Sequence, residues 1–126
     1  MSIEWKDDYK IGDAEIDAQH QELFSRVNRF LLASDTTSLI KCAVSMYKYT
    51  RQHFSHEESL MRQIRYPDMP RHVEEHNRLI TRLNGVAGAI ALEKLDKTTW
   101  ESFLTDWLIG HIAASDAKLA AYVRAQ

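Results

Sequence analysis

Between Asp35 and Ile64 the chain places Leu39, Cys42, Met46, Tyr49, His53, Glu57, Leu60 and Ile64 at steps of three or four without a break. That period matches the 3.6-residue turn of a helix and no strand pattern, so the segment reads as one amphipathic helix over 35–64, roughly 45 Å long, with Asp35 as its N-cap. A helix of this length with one apolar face has to lay that face against other helices. The rest of the chain supplies them. Leu23, Val27, Phe30 and Leu31 mark a first helix over about 17–32, with Asp17 as the expected N-cap. Tyr66-Pro67-Asp68-Met69-Pro70 ends the long helix and holds both prolines of the chain. A third helix, over 70–91, carries His72, His76, Leu79, Leu83, Val86 and Ile90, and a fourth, over 97–123, carries Phe103, Leu104, Trp107, Leu108, His111, Leu119 and Tyr122. Asp96, Thr98 and Thr99 compete for the N-cap of that last helix.

Four amphipathic helices on short connections have one common packing solution, so the expected fold is all-α, an antiparallel up-down-up-down four-helix bundle. The 126 residues leave room for one core, hence a single domain over 1–126. Glycine and proline together number only six, which leaves few of the punctuators that a many-turned β-fold requires. Residues 1–16 lack a helical period but contain Trp5, Ile11 and Ile16, so they are expected to form an arm packed over the bundle. Lysine and arginine are scattered among acids at a net charge of −2, which argues against a nucleic-acid partner. No stretch approaches the roughly 20 apolar residues that span a bilayer, and the first residues lack a signal-peptide core, so no membrane partner and a cytoplasmic location are expected. Cys42 is the only cysteine and reads as a small buried apolar residue.

The histidines are the anomaly. His53 and Glu57 stand at i and i+4, as do His72 and His76, and both pairs interrupt stripes that are otherwise apolar. His20 precedes Leu23 and Phe24 by one turn, and His111 sits within the stripe of the fourth helix. A bundle core is thus asked to accept five imidazoles and at least one carboxylate, at a cost of several kcal/mol unless each finds a partner. Metal coordination removes that cost. His20, His53, Glu57, His72, His76, His111 and Asp116 are seven candidate ligands, more than one tetrahedral zinc needs and suited to two metals sharing carboxylates. Asp116 is the weakest by spacing, because five residues beyond His111 turn 140° on an ideal α-helix. Either the backbone between them departs from α geometry or Asp116 reaches in from the side. His56 lies about 60° round the helix from His53 and 100° from Glu57, which makes it a boundary or surface residue, and Glu58 and Glu75 read as solvated.

These residues resemble the hemerythrin family, and within it the bacterial single-domain members, the bacteriohemerythrins, over nearly the whole chain. The matching stretches are Trp5 with Ile11-Gly12, Ile16-Asp17-Ala18-Gln19-His20, His53-Phe54-Ser55-His56-Glu57-Glu58-Ser59-Leu60-Met61, Tyr66-Pro67 with His72 and His76, and Trp107-Leu108-Ile109-Gly110-His111-Ile112 with Asp116. The resemblance implies a non-haem diiron centre that binds O2 reversibly. By motif position, His72, His76 and His111 hold one iron, His20 and His53 the other, and Glu57 and Asp116 bridge both beside an oxo or hydroxo group. The second iron keeps an open position for O2 or a small anion. Two ferrous ions carry +4 against −3 from two carboxylates and a hydroxide, so the pocket need tolerate only about +1. Leu23, Phe54, Trp107, Leu108 and Ile112, within a turn of ligands, are expected to wall the O2 pocket.

Oxygen-activating diiron bundles use mostly carboxylates with Glu-x-x-His pairs, a pattern absent here, so O2 binding for storage, transport or sensing is expected and not enzymatic turnover. The alternatives are a sensor domain cut from a larger signalling protein, which would add a signalling domain as partner, and a diiron enzyme handling peroxide or nitric oxide.

Overall fold

The computed structural model describes residues 3–91 and 96–125; Met1 and Ser2 of the arm lie outside them. Helix α1 spans Ala14–Leu32, α2 Thr36–Gln63, α3 Met69–Asn84, α4 Val86–Ala91, α5 Lys97–Gly110 and α6 Ala117–Arg124, with a π-helical segment, His111–Asp116, joining α5 to α6. Together they make the four rods of an antiparallel bundle: α1, α2, α3 with α4, and α5 through α6. The long α2 packs along α1 on one side and along α3 and α4 on the other, and α1 also meets α5. Among the described residues there is no strand, and no helix is long and apolar enough to cross a membrane.

The ends of the rods follow local chemistry. Asp13, not Asp17, caps α1 by accepting the Ile16 N–H, so the helix starts three residues earlier than its apolar period suggests. Asp17 is needed elsewhere: buried in the first turn, it accepts the Ile11 N–H at 2.7 Å and ties the arm to the helix. Asp35 caps α2 through the Ser38 N–H, and Asp96 wins the contest at α5 by accepting from Thr98 N–H and Thr99 Oγ1. At its far end α2 stops in a Schellman motif. The Tyr66 N–H reaches the Met61 carbonyl at 2.9 Å and the Arg65 N–H the Arg62 carbonyl, with Arg65 taking the left-handed φ of 55° usually left to glycine. Tyr66 and Met61 then bury together, which offsets the cost of that backbone. The third rod is one continuous stripe by period but divides at Gly85, whose N–H bonds back to the Arg82 carbonyl.

The buried face of α2 is turned by about one residue from the stripe that its large side chains suggest. Leu39, Ala43, Met46, Thr50, His53, Phe54, Glu57 and Met61 are buried, whereas Cys42, Tyr49, Leu60 and Ile64 are half-buried. Cys42 is accordingly not the fully buried residue expected.

The arm is fixed at three places. Ile3 exchanges two hydrogen bonds with the Asn28 amide, at 2.7 and 2.9 Å. Trp5 and Tyr9 pack on Phe24 with ring centroids 5.5 and 5.6 Å away. Gly12, at φ 98°, turns the chain so that Ile11 and Ile16 enter a cluster with Met61, Tyr66, Leu119 and Ala120. Removing residues 1–12 exposes that cluster and part of the Phe24 site, and is expected to lower unfolding free energy by about 2–4 kcal/mol while the helical circular dichroism is retained. A denaturant midpoint equal to that of the full chain would show the arm to be a passive cover.

Candidate metal centre

Each rod contributes to one polar cluster in the middle of the bundle. His20 comes from α1, His53 and Glu57 from α2, His72 and His76 from α3, and His111 and Asp116 from the two ends of the π segment. All seven are buried, His20, Glu57 and Asp116 completely so. Their ligand atoms form two groups within 4.8 Å, one of Glu57, His72, His76, His111 and Asp116 and one of His20, His53 and Glu57. The π segment explains how Asp116 joins: widening the turn lets a residue five positions from His111 return to the same face, with the two side chains 3.2 Å apart at Nε2 and Oδ1.

The two carboxylates divide their oxygens between two sides. Glu57 Oε1 faces His72 Nε2 at 2.7 Å and His76 Nε2 at 3.2 Å, while its Oε2 faces His53 Nε2 at 3.3 Å and His20 Nε2 at 3.4 Å. Asp116 repeats the division, Oδ1 toward His72 and His111 at 3.1 and 3.2 Å, Oδ2 toward His20 at 3.1 Å. Neighbouring ligands of an octahedral ion with bonds near 2.1 Å are separated by about 3.0 Å, and spacings of 3.1–3.4 Å in this cluster are close to such ligand edges. Of these pairs only His72 Nε2 and Glu57 Oε1, at 2.7 Å, form a hydrogen bond. The Nε2 atoms of His20, His53, His76 and His111, Glu57 Oε2 and both Asp116 oxygens are buried without a hydrogen-bond partner, where each such atom costs about 1–3 kcal/mol. An imidazole lone pair and a carboxylate oxygen both aimed at one point need a cation there.

The backs of the rings are held. Gln19 Oε1 accepts from His53 Nδ1 at 2.8 Å, Glu58 Oε2 from His76 Nδ1 at 2.8 Å, and Glu75 Oε1 from His111 Nδ1 at 2.5 Å, with Ser115 Oγ donating to the other Glu75 oxygen. Glu58 and Glu75 are therefore not the solvated residues expected from their polarity. They fix the tautomer that leaves Nε2 free for a metal and raise the basicity of the ring. A usable signal existed, since Gln19, Glu58 and Glu75 each adjoin a candidate ligand in sequence, and residues beside an inward-facing position can reach the neighbouring rod. His56 is half-buried, 42% exposed at its side chain, and meets Gln19 and Glu15 outside the cluster, as a boundary residue should.

Charge explains how the cluster is stabilised. Burial pushes the Glu57 carboxyl up, but four histidines facing it hold it well below its ordinary value. Asp116 is lowered too: burial and the Glu57 charge are outweighed by His111 and His20. Two negative charges thus persist in the core. In the metal-free chain, burial opposes protonation of His20 and His72, yet Asp116 and Glu57 raise both to about 9. His111 is also raised, against burial, by Asp116 and Glu75, while burial keeps His53 low and neutral. Protons stand in for metal ions.

The two sides differ in access to water. A depression of about 190 Å³ lined by Asp68, Arg71, Glu75, Ser115 and Lys118 reaches His72. The His20 and His53 side is dry. Leu23, Leu108 and Ile112 are at most 2% exposed and Trp107 is buried; Phe54, buried and stacked on His76 at 3.7 Å, lines a second depression that reaches that ring.

Comparison with known proteins agrees with this geometry. The family model described as Hemerythrin HHE cation binding domain matches residues 12–123. A myohemerythrin of Sipunculus nudus is 30% identical, covering 90% of this chain and 88% of the relative, and a bacteriohemerythrin of Stenotrophomonas maltophilia is 32% identical, covering 96% and 81%. A crystal structure of wild-type hemerythrin superposes with a TM-score of 0.82 at 24% identity, over 93% of each chain, which shows the shared fold.

The shifts carry a sign. Raised histidines contribute stability that is fully present below their unfolded value of 6.5 and is lost as pH rises through about 9. The melting temperature of the metal-free chain is therefore expected to fall between pH 6.5 and 9.5, whereas the increment added by metal should grow over the same range, because the ion no longer has to displace protons. Calorimetry of the two forms across that range checks both slopes; a metal-free chain that gains stability with pH would contradict the assignment.

Proposed function

The chain belongs to the hemerythrin family, and on that premise we propose that it binds O2 reversibly at a non-haem diiron centre. The observation that carries this reading is the division of the Glu57 and Asp116 oxygens between a three-histidine side and a two-histidine side. His72, His76 and His111 would hold one iron, His20 and His53 the other, and both carboxylates would bridge. When bound, the pair supplies two electrons that can pass to O2 and return.

The residues of this chain set the terms of that exchange. With one imidazole fewer, the His20 and His53 side would leave a position for a small ligand on a bound ion, and five neutral rings would bring no charge to a dry site. Gln19, Glu58 and Glu75 fix the rings from behind, so that ligand exchange does not require the cluster to rearrange. Leu23, Phe54, Trp107, Leu108 and Ile112 exclude water from the open side, which favours return of O2 over loss of the electrons to solvent.

The test is spectroscopic. The iron-loaded, reduced protein is colourless in the expected case, develops a visible charge-transfer band on exposure to air and loses it under argon, through repeated cycles. Irreversible oxidation on the first exposure, or turnover of an added electron donor, would replace O2 carriage with catalysis.

A further inference from the structure

Among the described residues three buried donors outside the cluster lack a partner, the indole Nε1 atoms of Trp5 and Trp107 and the hydroxyl of Thr50. Thr50 is fully buried, and its hydroxyl has no hydrogen-bond partner. A threonine inside a helix ordinarily relieves this by donating to the carbonyl four residues back, as exposed Thr81 does to Asn77 at 2.9 Å. Thr50 does not.

Its level in the bundle is informative. Thr50 lies three residues before His53, Leu23 three after His20 and Leu108 three before His111; because α1 runs opposite to α2 and α5, all three occupy the layer three residues, about 4.5 Å, beyond the histidines toward the same end. That layer covers the dry side of the centre, and its other members, Leu23 and Leu108, are apolar and at most 1% exposed. A hydroxyl kept there without a partner is either a defect or a donor waiting for an acceptor that arrives with the ligand.

Resting on the diiron reading above, we infer that the Thr50 hydroxyl donates a hydrogen bond to the small ligand held at the open position beside His20 and His53, and so favours O2 and anions whose outer atom accepts one. Thr50 is thus a positioning residue that touches the ligand and not the metal. The indole Nε1 of Trp107 is also buried without a partner, but it belongs to a ring wedged against Phe103, at 6.2 Å between centroids, whereas a threonine hydroxyl rotates freely to suit a ligand.

Thr50→Val keeps the shape and removes the donor, and Thr50→Ser restores it. Azide, a small anion with an accepting outer nitrogen, is titrated into the oxidised, iron-loaded proteins through its charge-transfer absorbance, and its infrared stretch is recorded in H2O and D2O. Thr50→Val is expected to weaken azide binding roughly three- to tenfold and to abolish a solvent-isotope shift of the stretch, with Thr50→Ser recovering both. The metal-free Thr50→Val chain should melt no lower than the parent. Azide affinity and isotope shift equal to the parent in Thr50→Val would overturn the inference while leaving the diiron reading intact, as would an isotope shift lost only in Trp107→Phe. A marked drop in the melting temperature of metal-free Thr50→Val would also overturn it, by giving the hydroxyl to the fold. A parent chain that binds iron but shows no azide band would overturn both.

Discussion

Two carboxylates in the middle of a small bundle, Glu57 and Asp116, set the terms for the rest of this molecule. Each is fully buried and each is held ionised. Two such charges cost several kcal/mol apiece unless positive charge and good geometry answer them. The five imidazoles around them answer in two ways. With protons they form a chain of buried ion pairs; with their lone pairs they present two sets of ligands at octahedral-edge spacing. The second answer suits the Nε2 and carboxylate atoms that the metal-free chain leaves buried without hydrogen bonds.

The scaffold around the cluster follows from holding those atoms still. Four rods converge so that no two adjacent ligands rely on a loop, and the backs of three rings are fixed by Gln19, Glu58 and Glu75 from neighbouring positions. The π segment exists because the last carboxylate must return to the face that His111 occupies, which an ideal α-helix does not allow at a spacing of five. The arm closes one end of the same core, with Asp17 serving the Ile11 N–H in place of its own helix end. Polarity inside and dryness on one side are then compatible: water reaches the neighbourhood of His72, while the layer of Leu23 and Leu108 keeps it from His20 and His53.

Much of this was legible in the chain because helical period and ligand chemistry reinforce each other. Histidines at i and i+4 within apolar stripes cannot be tolerated singly in a core, so their number pointed to metal before any geometry was known. The departure from α geometry near Asp116 could be anticipated from the 140° mismatch alone. What could not be read is equally physical. The cap of α1 went to Asp13 because Asp17 was drawn to the arm, a long-range demand that a local rule does not contain. Glu58 and Glu75 read as solvated because a single helix carries no information about which ring on the next rod will need an acceptor. Tyr49 and Cys42 are the more apolar choices by composition, yet their neighbours Thr50 and Ala43 are the buried ones, a rotation of the face by one residue that the helical period alone does not fix.

On the diiron reading the buried charges are matched to two ions and not to one. Metal analysis by plasma emission of the folded, dialysed protein, with iron quantified per chain, tests it most directly. Two irons for each chain are expected, removed together when the bundle is unfolded in chelator. A fully folded chain holding one zinc and no iron, with its melting temperature unchanged by added ferrous ion, would contradict it.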